Sequence, residues 1–187
     1  MAAVERRLDA APTSSASWRD SGGPALAVAT AVASAVAGAA RRDRDAFEPA
    51  AAELAALPAQ QTGAVLAAVV RMLLEEQHPD GLDGDDVRTV VERCVRAAAT
   101  WLPADALRPR TIVAVLANAL GVHEAGLTYD ELGAPPDPDL EKAPSPEEFA
   151  RHAPLVVADL LAAGGRTLRP YLDAAFTEIA RAETMDA

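Results

Sequence analysis

The sequence predicts an all-α fold, a single-domain bundle of six or seven helices with an acidic, proline-rich loop within it. Three observations carry this. Alanine makes up about a quarter of the chain while only 4% is aromatic. Alanine is the best helix former and a poor core filler, so stability must come from many closely packed helices. The apolar runs are of helix length and repeat at spacings of three and four. No run alternates β-branched residues as a half-buried strand would. At 187 residues the chain suffices for one proper core and is short for two.

Residues 1–22 are rich in serine, alanine and charge without a sustained period, and read as a mobile arm preceding a helical domain at 23–187. The first helix is expected over 24–42. Its first eighteen residues, counted from Gly23, carry no charge, which by length fits a membrane span. Composition favours a bundle helix instead. Only Leu26, Val28, Val32 and Val36 are strongly apolar, the preceding residues are mixed in charge, and the three valines form one stripe. Ser34 and Gly38 are small and four apart, so another backbone is expected close to both.

A second helix is expected over 47–57, ended by Pro58, and a third over 60–77 with Val65, Leu66, Val69, Val70, Leu73 and Leu74 near one face. The loop at 78–86, HPDGLDGDD, has four aspartates and two glycines and invites a calcium reading. The spacing fails: counted from Asp80, the third position is Leu82 and the twelfth is Val91, where ligands are required. Asp83 or Asp85 as a helix cap explains the acids better. The helix over 85–102 places Val87, Val91, Cys94, Ala98 and Trp101 on one face. Cys94 therefore reads as a buried, inert thiol, and Trp101 as the main bulky element of the core. A single cysteine also excludes an intramolecular disulfide.

Pro103 and Pro109 bracket a connector. The segment 111–120 is apolar nearly all round and is expected to be the central, most buried helix, closed by Gly121. Residues 133–146 hold five prolines interleaved with acids and read as a solvated loop. The next helix starts at Pro146 with a capping box: Ser145 is the cap and Glu148 the third helical residue. Pro154 lies inside it and predicts a kink or two abutting helices. Gly164-Gly165 is a turn, and the last helix is expected over 167–182.

Charge narrows the function. Of the formal net charge of −11, the window 124–148 carries −7, with eight acids against Lys142. Such a field disfavours nucleic acid and anionic membrane and suits a basic partner. It also decides a local ambiguity. The stretch LANALGVHEAGLTYDEL, residues 116–132, can be laid on a helix-turn-helix with Ala117, Gly121 and Leu127 at the expected places. Its would-be recognition helix carries Glu124, Asp130 and Glu131 and no arginine or lysine. Affinity for DNA comes mainly from cations against phosphate, so a bend between core helix and acidic loop is the better reading.

The dinucleotide, P-loop, zincin, nucleophile-elbow and CxxC motifs are all absent. His78, His123 and His152 are far apart in sequence and read as surface or capping residues, so no metal, cofactor or catalytic group is expected. The weak candidates for a ligand or anion site are Arg166 and Arg169 beside the glycine turn, Arg108, Trp101 and Tyr171. Asp137, Asp139 and Glu141 in the acidic loop are the candidates for contact with a partner. The function expected is that of a cytoplasmic, non-catalytic helical interaction or adaptor protein, with a basic-surfaced protein partner or a second copy of itself. The alternatives are a small-molecule sensor or enzyme with its pocket between helices, and a helix-turn-helix DNA-binding regulator.

Overall fold

Seven α-helices and one short 3-10 turn account for the ordered elements of the computed structural model, which describes residues 23–121 and 144–185; no strand occurs among them. The helices are α1 (Pro24–Arg41), α2 (Arg44–Ala55), α3 (Ala59–Gln77), α4 (Gly84–Ala98), α5 (Pro109–Ala119), α6 (Pro146–Gly164) and α7 (Leu168–Met185), with the 3-10 turn at Ala104–Ala106. The N-terminal arm, residues 122–132 of the helix-turn-helix stretch 116–132 and most of the acidic loop lie outside the described residues.

α1 passes as a membrane span by length and composition alone. In the fold its valine stripe, Val28, Val32 and Val36, is buried, and the helix packs on α2 and α6. Gly38 does what its size predicts. A Cβ there would lie 2.9 Å from the Phe47 Cα and 3.0 Å from its backbone nitrogen. Ser34 differs: it is exposed. The Gly38 contact gives a sharp test. Glycine to alanine inside a helix ordinarily gains up to about 1 kcal/mol. Here the methyl meets backbone, which cannot swing away, and overpacking costs typically about 1–3 kcal/mol. Gly38→Ala is therefore expected to lose about 1–2 kcal/mol net in urea unfolding. A gain in stability would mean that α1 and α2 are not in close contact.

The helix starts follow the chain's polar signals. Asp43 caps α2 by accepting from the Ala46 N–H at 3.1 Å, so α2 begins three residues before Phe47. Asp83 caps α4, and Asp86 returns the bond to the Asp83 N–H, completing a capping box in the loop that resembled a calcium site. Ser145 and Glu148 form the second capping box, at the start of α6. Gly121 and Gly165 take left-handed backbone where α5 and α6 end.

Three expectations are corrected. α5 is not the central helix. α6 is: it packs against α1, α2, α3, α4 and α5, and every residue from His152 to Ala158 is buried. It also runs unbroken through Pro154. Its polar residues hid this role, because Arg151 and Asp159 find their partners on other helices. Arg151 pairs with Glu48 of α2, and Asp159 accepts from Arg93 Nε of α4 at 2.8 Å. The Arg151–Glu48 pair is part-buried, with both side chains 29% exposed. Asp159 is different, since its side chain is only 10% exposed and would be a buried charge without Arg93. Nor is Trp101 the main bulky element of the core. Phe47, fully buried, is the core aromatic, and the half-buried Trp101 stands edge-on to it with ring centroids 5.2 Å apart.

Candidate functional site

The five residues proposed as a ligand set separate into three places. Trp101 belongs to the Phe47 pair, where α2 meets the chain leaving α4. Arg108 lies at the start of α5; its backbone N–H donates to His152 Nε2 at 2.9 Å, and its guanidinium approaches Glu148 at 3.8 Å, as does that of Arg110. Arg166, Arg169 and Tyr171 share the corner between α6 and α7. Arg166 and the Tyr171 hydroxyl both donate to the Glu76 carboxylate at the end of α3. The Tyr171 bond, followed by the Arg166 charge, holds the Glu76 carboxyl below its usual range, while burial pushes the Tyr171 phenol up. Arg169 is held loosely, 3.9 Å from Asp173 one turn along α7. Asp137, Asp139 and Glu141 lie outside the described residues.

Arg166 and Arg169 do share one feature. Both line an open groove of about 450 Å³ formed by α1, α6 and α7. Its wall on α1 is Ala33, Val36, Ala37 and Ala40; α6 contributes Ala158, Leu161 and Ala162, and α7 contributes Leu168 and Leu172. The side chains of Arg166 and Arg169 are 55% and 65% exposed on its rim. A smaller cleft of about 140 Å³, lined by Cys94, Trp101, Asp159 and Arg42, shares Ala40, Ala158 and Ala162 with it. Both therefore flank one low ridge of alanines. A second open groove of about 410 Å³ runs between the α2–α3 corner and the start of α6, past Leu54, Leu57, Gly63 and Phe149.

Sequence reasoning missed the α1 wall and Arg42. Ala33, Ala37 and Ala40 are spaced four and three apart, a helical face, but in so alanine-rich a chain they do not stand out. Nothing marks Arg42 in the sequence except its place in the cluster with Arg41 and Arg44.

The groups with chemical potential are occupied elsewhere. Cys94 is 1% exposed, and burial, with Asp159 beside it, pushes its thiol up to about 12, far from a reactive thiolate. His152, expected near the surface, is 1% exposed and bonded at both ring nitrogens, to the Arg108 N–H and the Glu148 carbonyl. Its position on the buried face of α6, one turn after the capping residues, is the reason: the ring closes the joint between the starts of α5 and α6. His78 ends α3 and faces Asp86 at 3.6 Å. Among the described residues no three His, Cys, Asp or Glu side chains are grouped to hold a metal ion.

The fold and the groove thus define the class of object: an all-α bundle with open apolar grooves on its surface. Comparison adds no narrower class, since no protein-family model, no curated protein and no solved structure matches the chain.

Proposed function

We propose that this chain is a non-catalytic helical interaction protein of the cytoplasm that works by binding a macromolecular partner. The observation that carries the reading is the α1–α6–α7 groove: an apolar strip open to solvent, rimmed by Arg166 and Arg169. A small-molecule site buries most of its ligand and converges a few polar groups on it. The groove offers neither the enclosure nor the convergence, whereas a partner supplies its own cover. The acidic segment, with Asp137, Asp139 and Glu141, is a second contact in this reading, suited to a basic surface.

Native mass spectrometry on the protein purified gently from its own cells tests the proposal. A complex with a second chain, or a clean multiple of the monomer, is expected. A monomer carrying the extra mass of a small ligand would replace the interaction reading with a sensor or enzyme. Deletion of residues 134–144 tests the acidic contact. The helical circular-dichroism signal should persist while binding of the co-purified partner is lost, and unchanged binding removes that segment from the interface.

A further inference from the structure

We infer that the connector into α5, residues 103–111, is a joint that acid releases locally, while α6 and the rest of the bundle stay folded. His152 is its pin. The ring is 1% exposed; its Nδ1 lies 2.7 Å from the Glu148 carbonyl, and its Nε2 accepts from the Arg108 N–H at 2.9 Å. That pair of bonds exists only for the neutral ring, since a proton on Nε2 would face the Arg108 N–H. Acid therefore acts on one bond between the starts of two helices.

The charged groups around the ring leave no place for an imidazolium. Arg151, beside it on α6, and Arg108, at the start of α5, both oppose its charge. Glu148 favours it, but that carboxylate already accepts from the Ser145 N–H and is approached at 3.8 Å by Arg108 and Arg110. Glu48 of α2 is taken by Arg151 and approached by Arg44. A protonated ring has to reach water, so one side of the joint must move.

Packing decides which side. α6 is the central helix and is buried from His152 to Ala158. The other side is held weakly. No residue from Pro103 to Arg110 is buried, α5 starts without a side-chain cap, and the Arg108 and Arg110 contacts with Glu148 are longer than hydrogen bonds. The closed joint also carries a standing cost. Thr111, in the first turn of α5, is 0% exposed, and its hydroxyl has no hydrogen-bond partner among the described residues. Opening lets water reach that hydroxyl, the Arg108 N–H and the ring together. Segments with little buried apolar surface open in this way ahead of the whole fold.

The direction follows from linkage. Burial foremost holds the folded ring below the usual 6.5, whereas an opened ring titrates at its ordinary value. The closed joint is fully stable above that pH and weakens as pH falls. Between pH 7.5 and 5.5 the opening equilibrium should rise by up to about tenfold.

Native-state hydrogen exchange on the full chain, followed by NMR in urea below the unfolding transition, tests the joint. Three amides report on it: Arg108 donates to His152, and Thr111 and Ile112 donate to the Arg108 carbonyl. Their protection, corrected for intrinsic exchange, should fall by up to about tenfold from pH 7.5 to 5.5. It should stay at least about tenfold below that of Val156 and Val157 in α6 and respond little to urea, because a local opening exposes little surface. Exchange of all five amides with one protection and one urea slope means that the joint opens only with the whole fold, and overturns it. Protection that ignores pH overturns His152 as the pin. His152→Gln keeps an acceptor for the Arg108 N–H but cannot titrate, so its pH response should vanish; a response that persists assigns the release to another group. Should that variant fail to fold, the ring shifts of His152 in the parent decide, and a titration at or above pH 6.5 overturns the release.

Discussion

Replacing Phe47 with alanine should lower the unfolding free energy by about 3–5 kcal/mol, against a total of about 5–15 kcal/mol for a domain. Phe47 is fully buried in a core whose other members are mostly alanine, valine and leucine. Its backbone is pressed against Gly38 of α1, and its ring meets that of Trp101, in the chain after α4, at 86°. The edge-on pair itself accounts for about 0.5–1.5 kcal/mol. The larger part is the cavity. Alanine neighbours have no side-chain length with which to close a phenylalanine-sized hole, so the site relaxes poorly and the cost belongs in the upper range. Urea unfolding followed by circular dichroism should show a lower midpoint with an unchanged slope. Trp101→Ala should cost clearly less, because Trp101 is half-exposed already. Equal costs, or a loss under about 1 kcal/mol for Phe47→Ala, would place the packing centre elsewhere.

The same residue illustrates what could be read beforehand. The helix count, the capping box at Ser145 and a cap at Asp83 or Asp85 were legible because local rules write them: a side-chain oxygen reaching a free N–H two or three residues on. So was the valine stripe of α1. Phe47 and α6 were not, for a different reason. Which of several apolar faces sits innermost is set by tertiary packing, and the polar residues that made α6 look peripheral are paired only across helices. Arg151 needs Glu48 and Asp159 needs Arg93, partners more than sixty positions away in the chain. The site was half legible. Arg166 and Arg169 were singled out by the glycine turn before them, but their apolar floor was hidden in the alanine background, and Tyr171, placed with them, serves Glu76.

His152 is where that failure has the largest consequence, because a histidine read as a surface residue proves to be a joint. Its two partners fix its state. The Glu148 carbonyl only accepts, so Nδ1 carries the hydrogen, at 2.7 Å; the Arg108 N–H only donates, so Nε2 must be bare, at 2.9 Å. The ring is neutral by construction, and a proton on Nε2 would set one N–H against another. Burial foremost holds its pKa below the usual 6.5, with Arg151 and Arg108 acting in the same direction and the Glu148 carbonyl and carboxylate acting against it. Below about pH 6.5 the unfolded chain therefore takes up a proton that the folded chain refuses. The contribution of His152 is fully present above that pH and is lost as pH falls towards the folded value, at up to about 1.4 kcal/mol per pH unit. Asp159 runs the other way: burial raises its pKa despite Arg93, so its protonation favours the fold as pH falls. A difference measurement isolates the histidine. At pH 7.5 His152→Ala should cost about 2–5 kcal/mol, from the hole and the orphaned Arg108 N–H together. Because only the parent loses stability through His152 on acidification, that penalty should shrink steadily between pH 6.5 and 5. A penalty that stays constant across this range would mean that His152 keeps no proton out, and that the start of α5 is held to α6 by Glu148 alone.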